Sequence, residues 1–410
     1  MKDPIQSAVE RLLPEAQEFL SELIRIPSLP GQEQDVMLLC ERRFSGLGVE
    51  TRRIPLSNAL KSDPDYSDPV PDINYDGRFN LRVVRKGAGG GRKLIVNAHT
   101  DVVPPSEGMD RPYEPRLENG VLFGRGACDD KGQVALLYLA MKALDALGVK
   151  TKGDLIGHLV VEEENGGNGS LAMARTGERA DGCLVLEASE GCLFTSVRGA
   201  VWFRLTFQGR AGHSGQAGQT RSALLMARDA IALLERYHAE LLASSRGLPL
   251  FDPFPNPMPI TFGRLQAGNW PAAAPSRAAL EGVLGLLPNT TKEKVCAGLR
   301  DAIARGGDEH LARNFDIKFM YRHDSSVVDP AHELPRTFLA SAGQAGVPVR
   351  IGAMTASCDA WFYNNQLGIP TAVFGAGSLK VAHSKDEQLS LQDLATAARA
   401  LTAFIRDYCG

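Results

Sequence analysis

Short apolar runs alternate with longer helical patterns along most of the chain, and this alternation is typical of an α/β domain. Residues 5–26 and 391–408 have the apolar spacing of a first and a last helix. Residues 133–147 are apolar at most positions, which predicts a largely buried helix. Four short apolar runs predict central strands at residues 93–98, 155–161, 183–186 and 371–374.

The pattern changes between residues 199 and 321. It predicts helices and strands in the order β-α-β-β-α-β, which is the ferredoxin-like plan. We therefore predict two domains: a discontinuous α/β domain (1–198 and 322–410) with a mostly parallel sheet flanked by helices, and an inserted α+β ferredoxin-like domain (199–321). Within the insert, strands are predicted at residues 201–207, 259–265, 278–287 and 315–321, and helices at residues 220–242 and 291–304.

Composition narrows the possible partners and the cell compartment. The chain has 410 residues, enough for two or three domains, and 45 Lys and Arg against 48 Asp and Glu, a net charge of -3. This balance gives no basic surplus for nucleic acid, and no apolar run is long enough for a membrane span or a signal peptide. The seven cysteines are scattered and unpaired in sequence, which suits reduced thiols. We expect a cytoplasmic protein with neither a nucleic-acid nor a membrane partner.

Acids and histidines follow the predicted central strands. His99 and Asp101 come after the first strand, residues 162–164 are three glutamates after the second, and Glu187 follows the third. The carboxyl ends of parallel strands meet at one edge of a sheet, so these side chains should lie close together. Two loops, 124–132 and 381–384, add further acids and a histidine. So many carboxylates in one place repel one another unless cations lie between them, which predicts a metal site.

The donor types indicate which ions and which chemistry to expect. Imidazoles and carboxylates without paired thiols suit zinc, or manganese or cobalt, and two histidines with several acids suit two ions. Two ions ~3.5 to 4 Å apart polarise a carbonyl and lower the pKa of a shared, bridging water to about 7. A carboxylate that is not a ligand can then act as general base. If strand geometry continues through Glu163 and Glu164, their side chains point opposite ways, so one can bind metal and the other can be the base.

Five motifs, in order and across nearly the whole chain, resemble those of the zinc aminoacylase family, which includes acetylornithine deacetylase, succinyl-diaminopimelate desuccinylase and glutamate carboxypeptidases. The resemblance implies a zinc-exopeptidase-like catalytic domain and a dinuclear metallo-amidohydrolase or metallopeptidase that hydrolyses a C–N bond. The motifs are His99-x-Asp101, the run 124–132 (GRGACDDKG), Glu163-Glu164-x-Gly166, Glu187, and His383 in an Ala-His-Ser loop.

The resemblance also implies a role for each motif residue. His99 and Glu187 would bind one metal, Glu164 and His383 the other, and Asp129 would bridge the two. Glu163 would be the general base, and Asp101 would hold the His99 ring. The peptide bond between Asp129 and Asp130 would be cis.

By the same resemblance, the insert is a dimerisation or lid domain in a homodimer. Residues 209–214 (GRAGHS) resemble the lid motif whose histidine, here His213, enters the partner's site and stabilises the oxyanion. Arg198 and Gly199 would form the hinge into the lid. Arg198 would contact either a small-molecule substrate or a carboxylate.

Two positions depart from the amino-acid-specific members, which use an Asn and an Arg to bind a substrate carboxylate: this chain has Ala272 and Gly285 there. Residues 267–287 instead resemble a branch that includes a formylaminopyrimidine deformylase. We expect hydrolysis of a small N-acylated amine, an N-acyl amino acid or a short peptide. The alternatives are a formamide or amine on an aromatic or heteroaromatic ring, or a non-catalytic binding protein on the same fold.

Three further expectations concern charged residues beside the motifs. Glu162 is expected to be a solvated carboxylate, because a run of three glutamates needs only two functional members. Asp130 is expected to cap the helix that begins at Lys131, and Lys131 to pair with nearby acids.

Overall fold

The computed structural model describes residues 3–215 and 218–410. The helices, in chain order, are α1 (Pro4–Ile24), α2 (Gln34–Ser45), α3 (Lys131–Ala146), α4 (Asn168–Arg175), α5 (Ala223–Ser244), α6 (Lys292–Gly306), α7 (Glu309–Arg313), α8 (Glu333–Gln344) and α9 (Leu391–Cys409), with short helical turns at Asn58–Ser62 and Phe362–Gln366.

The strands, in chain order, are β1 (Glu50–Pro55), β2 (Phe79–Arg85), β3 (Leu94–His99), β4 (Arg116–Glu118), β5 (Val121–Phe123), β6 (Leu155–Val160), β7 (Gly182–Val185), β8 (Cys192–Val197), β9 (Gly199–Gln208), β10 (Gly212–His213), β11 (Ile260–Ala267), β12 (Ala273–Ala274), β13 (Arg277–Leu286), β14 (Phe315–His323), β15 (Ser326–Val327), β16 (Arg350–Met354), β17 (Thr371–Val373) and β18 (Gln388–Ser390).

The largest sheet has the strand order β1-β2-β6-β3-β7-β17-β8-β15, with β16 also paired to β8. Its centre is parallel, because β3 pairs in parallel with both β6 and β7, and β7 pairs in parallel with β17. Every residue of β3, β6 and β7 is buried, which explains why these strands are continuous apolar runs rather than alternating ones. The predicted central strands and the buried helix α3 are therefore confirmed, and the carboxyl ends of the parallel strands share one edge.

Residues 199–323 form a separate four-stranded antiparallel sheet with the order β11-β13-β9-β14. Helices α5 and α6 pack on this sheet and enclose a second apolar core around Phe203, Leu234 and Leu299. The order β-α-β-β-α-β is the ferredoxin-like arrangement that the sequence predicts. The chain enters this segment from β8 and leaves it into β15, and these two strands pair with each other, Ser326 opposite Val197.

Two small sheets position loops. In one, β5 pairs with both β4 and β18, so the residues just before loop 124–130 lie beside those just after His383. In the other, β10 pairs with β12, and His213 lies opposite Ala273.

Within residues 3–215 and 218–410, no helix combines the length and the apolar character that a bilayer span requires.

Candidate metal centre

His99 is the last residue of β3 and is 2% exposed. Its Nδ1 lies 3.0 Å from the main-chain oxygen of Asp101 and 3.3 Å from Asp101 Oδ1. These acceptors favour the tautomer with a proton on Nδ1, which leaves the Nε2 lone pair available to a metal. Nε2 lies 3.1 Å from Asp129 Oδ1.

Glu187 follows the end of β7 and is 4% exposed. It belongs to a buried cluster in which His99, Asp129, Asp130 and Glu187 each offer a ligand atom, all within 4.8 Å of one another. The structure therefore brings together three of the side chains predicted as metal ligands, and it adds Asp130.

Asp130 is the N-cap residue of α3, as predicted, but its side chain makes no capping hydrogen bond. Its Oδ2 instead accepts a hydrogen bond from the main-chain N–H of His99 at 2.9 Å, and its buried Oδ1 has no hydrogen-bond partner among the described residues. The peptide bond between Asp129 and Asp130 is cis, as predicted.

A second cluster contains Asp129, Glu164 and His383, whose ligand atoms also lie within 4.8 Å of one another. His383 Nε2 is 3.2 Å from Asp129 Oδ2 and 3.0 Å from Glu164 Oε2. Asp129 thus directs one carboxylate oxygen to each histidine, the arrangement of a ligand shared by two ions.

Asp101 supports both clusters. In addition to its contacts with His99, its carboxylate accepts hydrogen bonds from the main-chain N–H groups of Glu163 and Glu164, at 3.1 and 3.0 Å. Strand β6 has ended at Val160, and Glu162 has φ 61, so the two glutamates lie in a turn. The premise that strand geometry continues through them is wrong, and Asp101 fixes the turn instead.

Glu162 is fully buried, so the expectation of a solvated carboxylate is also wrong. It forms an ion pair with Arg78, which also binds both carboxylate oxygens of Glu33 at 2.8 and 2.7 Å. The hydroxyl of Tyr75 donates to Glu162 at 2.7 Å. Arg78 lies 84 positions earlier in the sequence, and no local pattern links the two residues.

Lys131 is buried, and its Nζ donates to the main-chain oxygen of Ile26 at 2.7 Å. It forms no ion pair within the described part of the chain, which corrects the predicted pairing with acids. Burial lowers the pKa of Lys131 to about 7.

Burial and mutual repulsion disturb the acids of both clusters. Burial, together with neighbouring carboxylates, raises the pKa of Glu163 and of Glu187 well above the usual range, and that of Glu164 to about 7. Burial also disfavours the charged form of Asp129, but hydrogen bonds from His383 and His99 outweigh it and lower the pKa of that carboxyl. Close, dry carboxylates with two imidazoles are a donor set that fits divalent metal ions, since cations offset this repulsion.

Neither His213 nor Arg198 belongs to the two clusters, as far as the described residues show. His213 is exposed, and its Nδ1 accepts a hydrogen bond from the main-chain N–H of Gly215 at 3.0 Å. Within the described residues, 3–215 and 218–410, no hydrogen bond or ion pair joins His213 to the candidate ligands. The Arg198 guanidinium donates to the main-chain oxygens of Thr355 and Gly199.

Two charged residues beneath the site escaped sequence reasoning. Arg125 and Glu387 form a buried ion pair, with Nη1 and Oε2 2.6 Å apart. Arg125 belongs to the motif run, and Glu387 follows His383 by four positions, but only the fold brings them together.

A parallel sheet that carries two histidine–carboxylate clusters at its carboxyl edge defines a metallohydrolase. More specifically, the chain belongs to peptidase family M20/M25/M40, whose family model matches residues 95–407.

Individual relatives agree with that membership. The chain is 26% identical over 345 residues to N-formyl-4-amino-5-aminomethyl-2-methylpyrimidine deformylase of Bacillus subtilis (strain 168), covering 77% of this chain and 79% of the relative. It is 26% identical over 337 residues to acetylornithine deacetylase of Myxococcus xanthus, covering 81% and 85%. Among solved structures, the dipeptidase Dug1p of Saccharomyces cerevisiae shares the fold, with a TM-score of 0.81, 14% identity and coverage of 99% and 98%.

Proposed function

We propose that the chain hydrolyses the amide C–N bond of a small N-acylated amine, an N-acyl amino acid or a short peptide, with two divalent ions, zinc first among them. The observation that carries this proposal is Asp129, whose two carboxylate oxygens face one histidine each. When bound, two such ions polarise the scissile carbonyl and lower the pKa of water to about 7. In this proposal His99, Glu187, Glu164 and His383 are the remaining ligands.

Glu163 acts as general base in this scheme. It lies beside both clusters but belongs to neither, and Asp101 holds its main chain. The carboxylate takes the proton from the attacking water and returns it to the leaving amine. A pKa raised by burial suits the second step, because a weaker acid holds the proton until the amine departs.

His213 supplies an oxyanion contact from a partner subunit. Because its Nδ1 accepts the Gly215 N–H, the neutral ring carries its proton on Nε2, which is then a donor. Its lack of any described contact with the clusters of its own chain supports action in trans. Strand β11 is an edge strand of the insert, and pairing of such an edge, or of a neighbouring helix, would join two copies into a homodimer.

Subunit mixing tests this contribution. Glu163→Ala and His213→Ala, each inactive alone, are combined under conditions of verified subunit exchange. Heterodimers then hold one doubly altered site and one intact site, so activity should recover towards half of wild type per heterodimer. Absence of recovery despite exchange means that His213 acts within its own subunit or has no catalytic part.

Arg198 binds an anionic group of the substrate. Burial lowers its pKa to about 10, and no acid pairs with it in the described ranges. A Cβ at position 285 would lie 2.6 Å from Arg198 Nη1, so Gly285 makes room for the guanidinium. A partly buried guanidinium without a carboxylate suits a substrate carboxylate.

Arg198→Lys tests this role with two matched substrates, an N-acyl amino acid and its C-terminal amide. The variant should raise KM for the acid and leave KM for the amide near the wild-type value, because only the acid has the carboxylate that Arg198 would bind. Equal changes for both substrates would argue against the contact.

A formamide on a heteroaromatic ring is the second candidate substrate class. It is favoured by the similarity to a pyrimidine deformylase and by the small residues Ala272 and Gly285. Metal content, together with turnover on a panel of N-acyl amino acids, dipeptides, aryl amides and heteroaryl formamides, decides between the classes. A folded dimer that binds no metal and turns over none of them would instead be a binding protein.

We also propose a cytoplasmic location. All seven cysteines are free, and six of them are buried. Free buried thiols are typical of proteins in a reducing compartment.

A further inference from the structure

The buried ion pair of Arg125 and Glu387 lies against the loop that carries Asp129. Their side chains are 1% and 0% exposed, and neither belongs to a ligand cluster. Glu387 Oε1 accepts hydrogen bonds from the main-chain N–H groups of Cys128 and Asp129, both at 3.1 Å. One carboxylate therefore holds the backbone at the residue that both clusters share.

The same pair reaches the loop of His383. Arg125 Nη2 donates to Ser106 Oγ at 2.8 Å, and the Ser106 hydroxyl donates to the main-chain oxygen of His383 at 2.8 Å. His383 has φ 56, a left-handed conformation that a non-glycine residue keeps only where its surroundings fix it. A continuous set of hydrogen bonds thus runs from the N–H of Asp129 to the carbonyl of His383.

We propose that Arg125, Glu387 and Ser106 form a clamp that positions Asp129 and His383 for the ion shared by Asp129, Glu164 and His383. The three are positioning residues, because none of them is within the ligand clusters. The proposal rests on the proposed metal ligands but not on any substrate.

The clamp fixes the backbone of the two loops that carry Asp129 and His383, as the hydrogen-bonded strands fix the backbone at His99 and Glu187. Those two side chains follow directly from buried strands, whereas Asp129 and His383 lie on loops. A buried ion pair is weak support for stability, since its desolvation cost offsets much of its attraction. Fixed geometry at the metal is the better account of this pair, because outer partners of metal ligands typically change metal affinity by about 10- to 100-fold.

The test titrates the metal-free protein with Co²⁺, followed by visible absorption and calorimetry, in wild type, Glu387→Gln and Arg125→Lys. Wild type should bind two ions per chain. In both variants the second ion, which uses both Asp129 and His383, should weaken by about 10- to 100-fold, and the first ion, which shares only Asp129 with the clamp, should weaken less. Metal binding needs no substrate, so the result can be read even if the wild-type chain hydrolyses none of the panel.

Two further variants separate positioning from general stability. Glu178→Gln breaks a different ion pair, the partly buried one with Arg82, and should leave both binding steps unchanged. Ser106→Ala keeps the Arg125–Glu387 pair, and should weaken the second ion less than the other variants while folding normally. If Glu387→Gln or Arg125→Lys fails to fold, the result for Ser106→Ala tests the clamp in its place. Equal weakening of both ions, or no change in the second, would overturn the clamp.

Discussion

The two candidate metal clusters use similar ligand atoms but are supported differently. His99 and Glu187 follow directly from buried parallel strands and are 2% and 4% exposed; we call them the strand-held half. Glu164 lies in a turn and the His383 side chain, in a loop, is 53% exposed; we call them the loop-held half. The ladder of the sheet fixes the first pair, whereas the second pair depends on hydrogen bonds from distant side chains. Ligand type alone therefore does not predict how firmly a half is held.

The largest effect should come from a side chain outside both halves. Glu163→Gln keeps shape and metal ligands but removes the proton acceptor, so we expect kcat to fall by ~10²- to 10⁴-fold with metal content unchanged. Steady-state kinetics with metal analysis of the same sample measure both. Glu190→Gln, which alters an exposed acid paired with Lys380, is the matched control. Wild-type kcat in a fully loaded Glu163→Gln sample would show that another group is the base.

Substitution of Arg78, which pairs with Glu162 at the start of the turn that carries Glu164, should have the next largest effect. Arg78→Met leaves Glu33 and Glu162 buried without their common partner, and breaking such a pair typically costs about 3 to 5 kcal/mol. Denaturant unfolding of the metal-free protein measures this loss. Arg53→Met, which breaks the more exposed pair with Glu41, should cost less than about 1 kcal/mol. Similar losses for Arg78→Met and Arg53→Met would show that the buried ion pairs of Arg78 contribute no more to stability than the exposed pair of Arg53.

Metal removal tests the comparison directly. A competing chelator should withdraw the ion of the loop-held half first, because His383 is exposed and sits on a loop. We expect the two dissociation constants to differ by at least about tenfold, or about 1.4 kcal/mol. Stoichiometry at increasing chelator concentration gives two steps. A single step that releases both ions together would mean that the halves are equally stable.

The last expected effect concerns pH and the buried ion-pair network of Arg78, Glu33 and Glu162. Burial, with Asp101 and Glu162 adding to it against the opposing charge of Arg78, raises the pKa of Glu33 from the usual 4.5 to about 8. The folded chain then binds more protons than the unfolded chain between these values, so this stabilisation is complete below pH 4.5 and is lost as pH rises through 8.

We therefore expect the Tm of wild type to fall more steeply between pH 5 and 8 than the Tm of Glu33→Gln, in which this group no longer titrates. Thermal unfolding in matched buffers measures the slopes. Parallel slopes would show that Glu33 does not titrate differently in the folded chain.

Local patterns and the family resemblance predicted much of the fold and most of the side chains that lie in the two candidate clusters. Apolar runs identified the buried strands, and the strand ends then identified His99 and Glu187, because the carboxyl ends of parallel strands must converge. The cis peptide bond at Asp129 and the order of the inserted sheet also followed from the sequence and its resemblance.

Long-range contacts escaped prediction. The burial of Glu162 depends on Arg78, which is far away in the sequence, and Arg125 and Glu387 are 262 positions apart. The turn at Glu163 depends on a backbone change at Glu162 and on two hydrogen bonds to Asp101, which alternating polarity does not encode. The candidate ligand side chains were thus more predictable from the sequence than the side chains that hold them in place.

The pairing of β8 with β15 has an evolutionary consequence. The chain enters and leaves the segment 199–323 through the two paired strands β8 and β15, so the ends of the segment lie close together. Segments whose ends lie close together are readily inserted or exchanged. Substitutions within that segment leave the strands beneath His99 and Glu187 uninterrupted. The insert can therefore vary in sequence without interrupting the sheet that carries the candidate metal ligands.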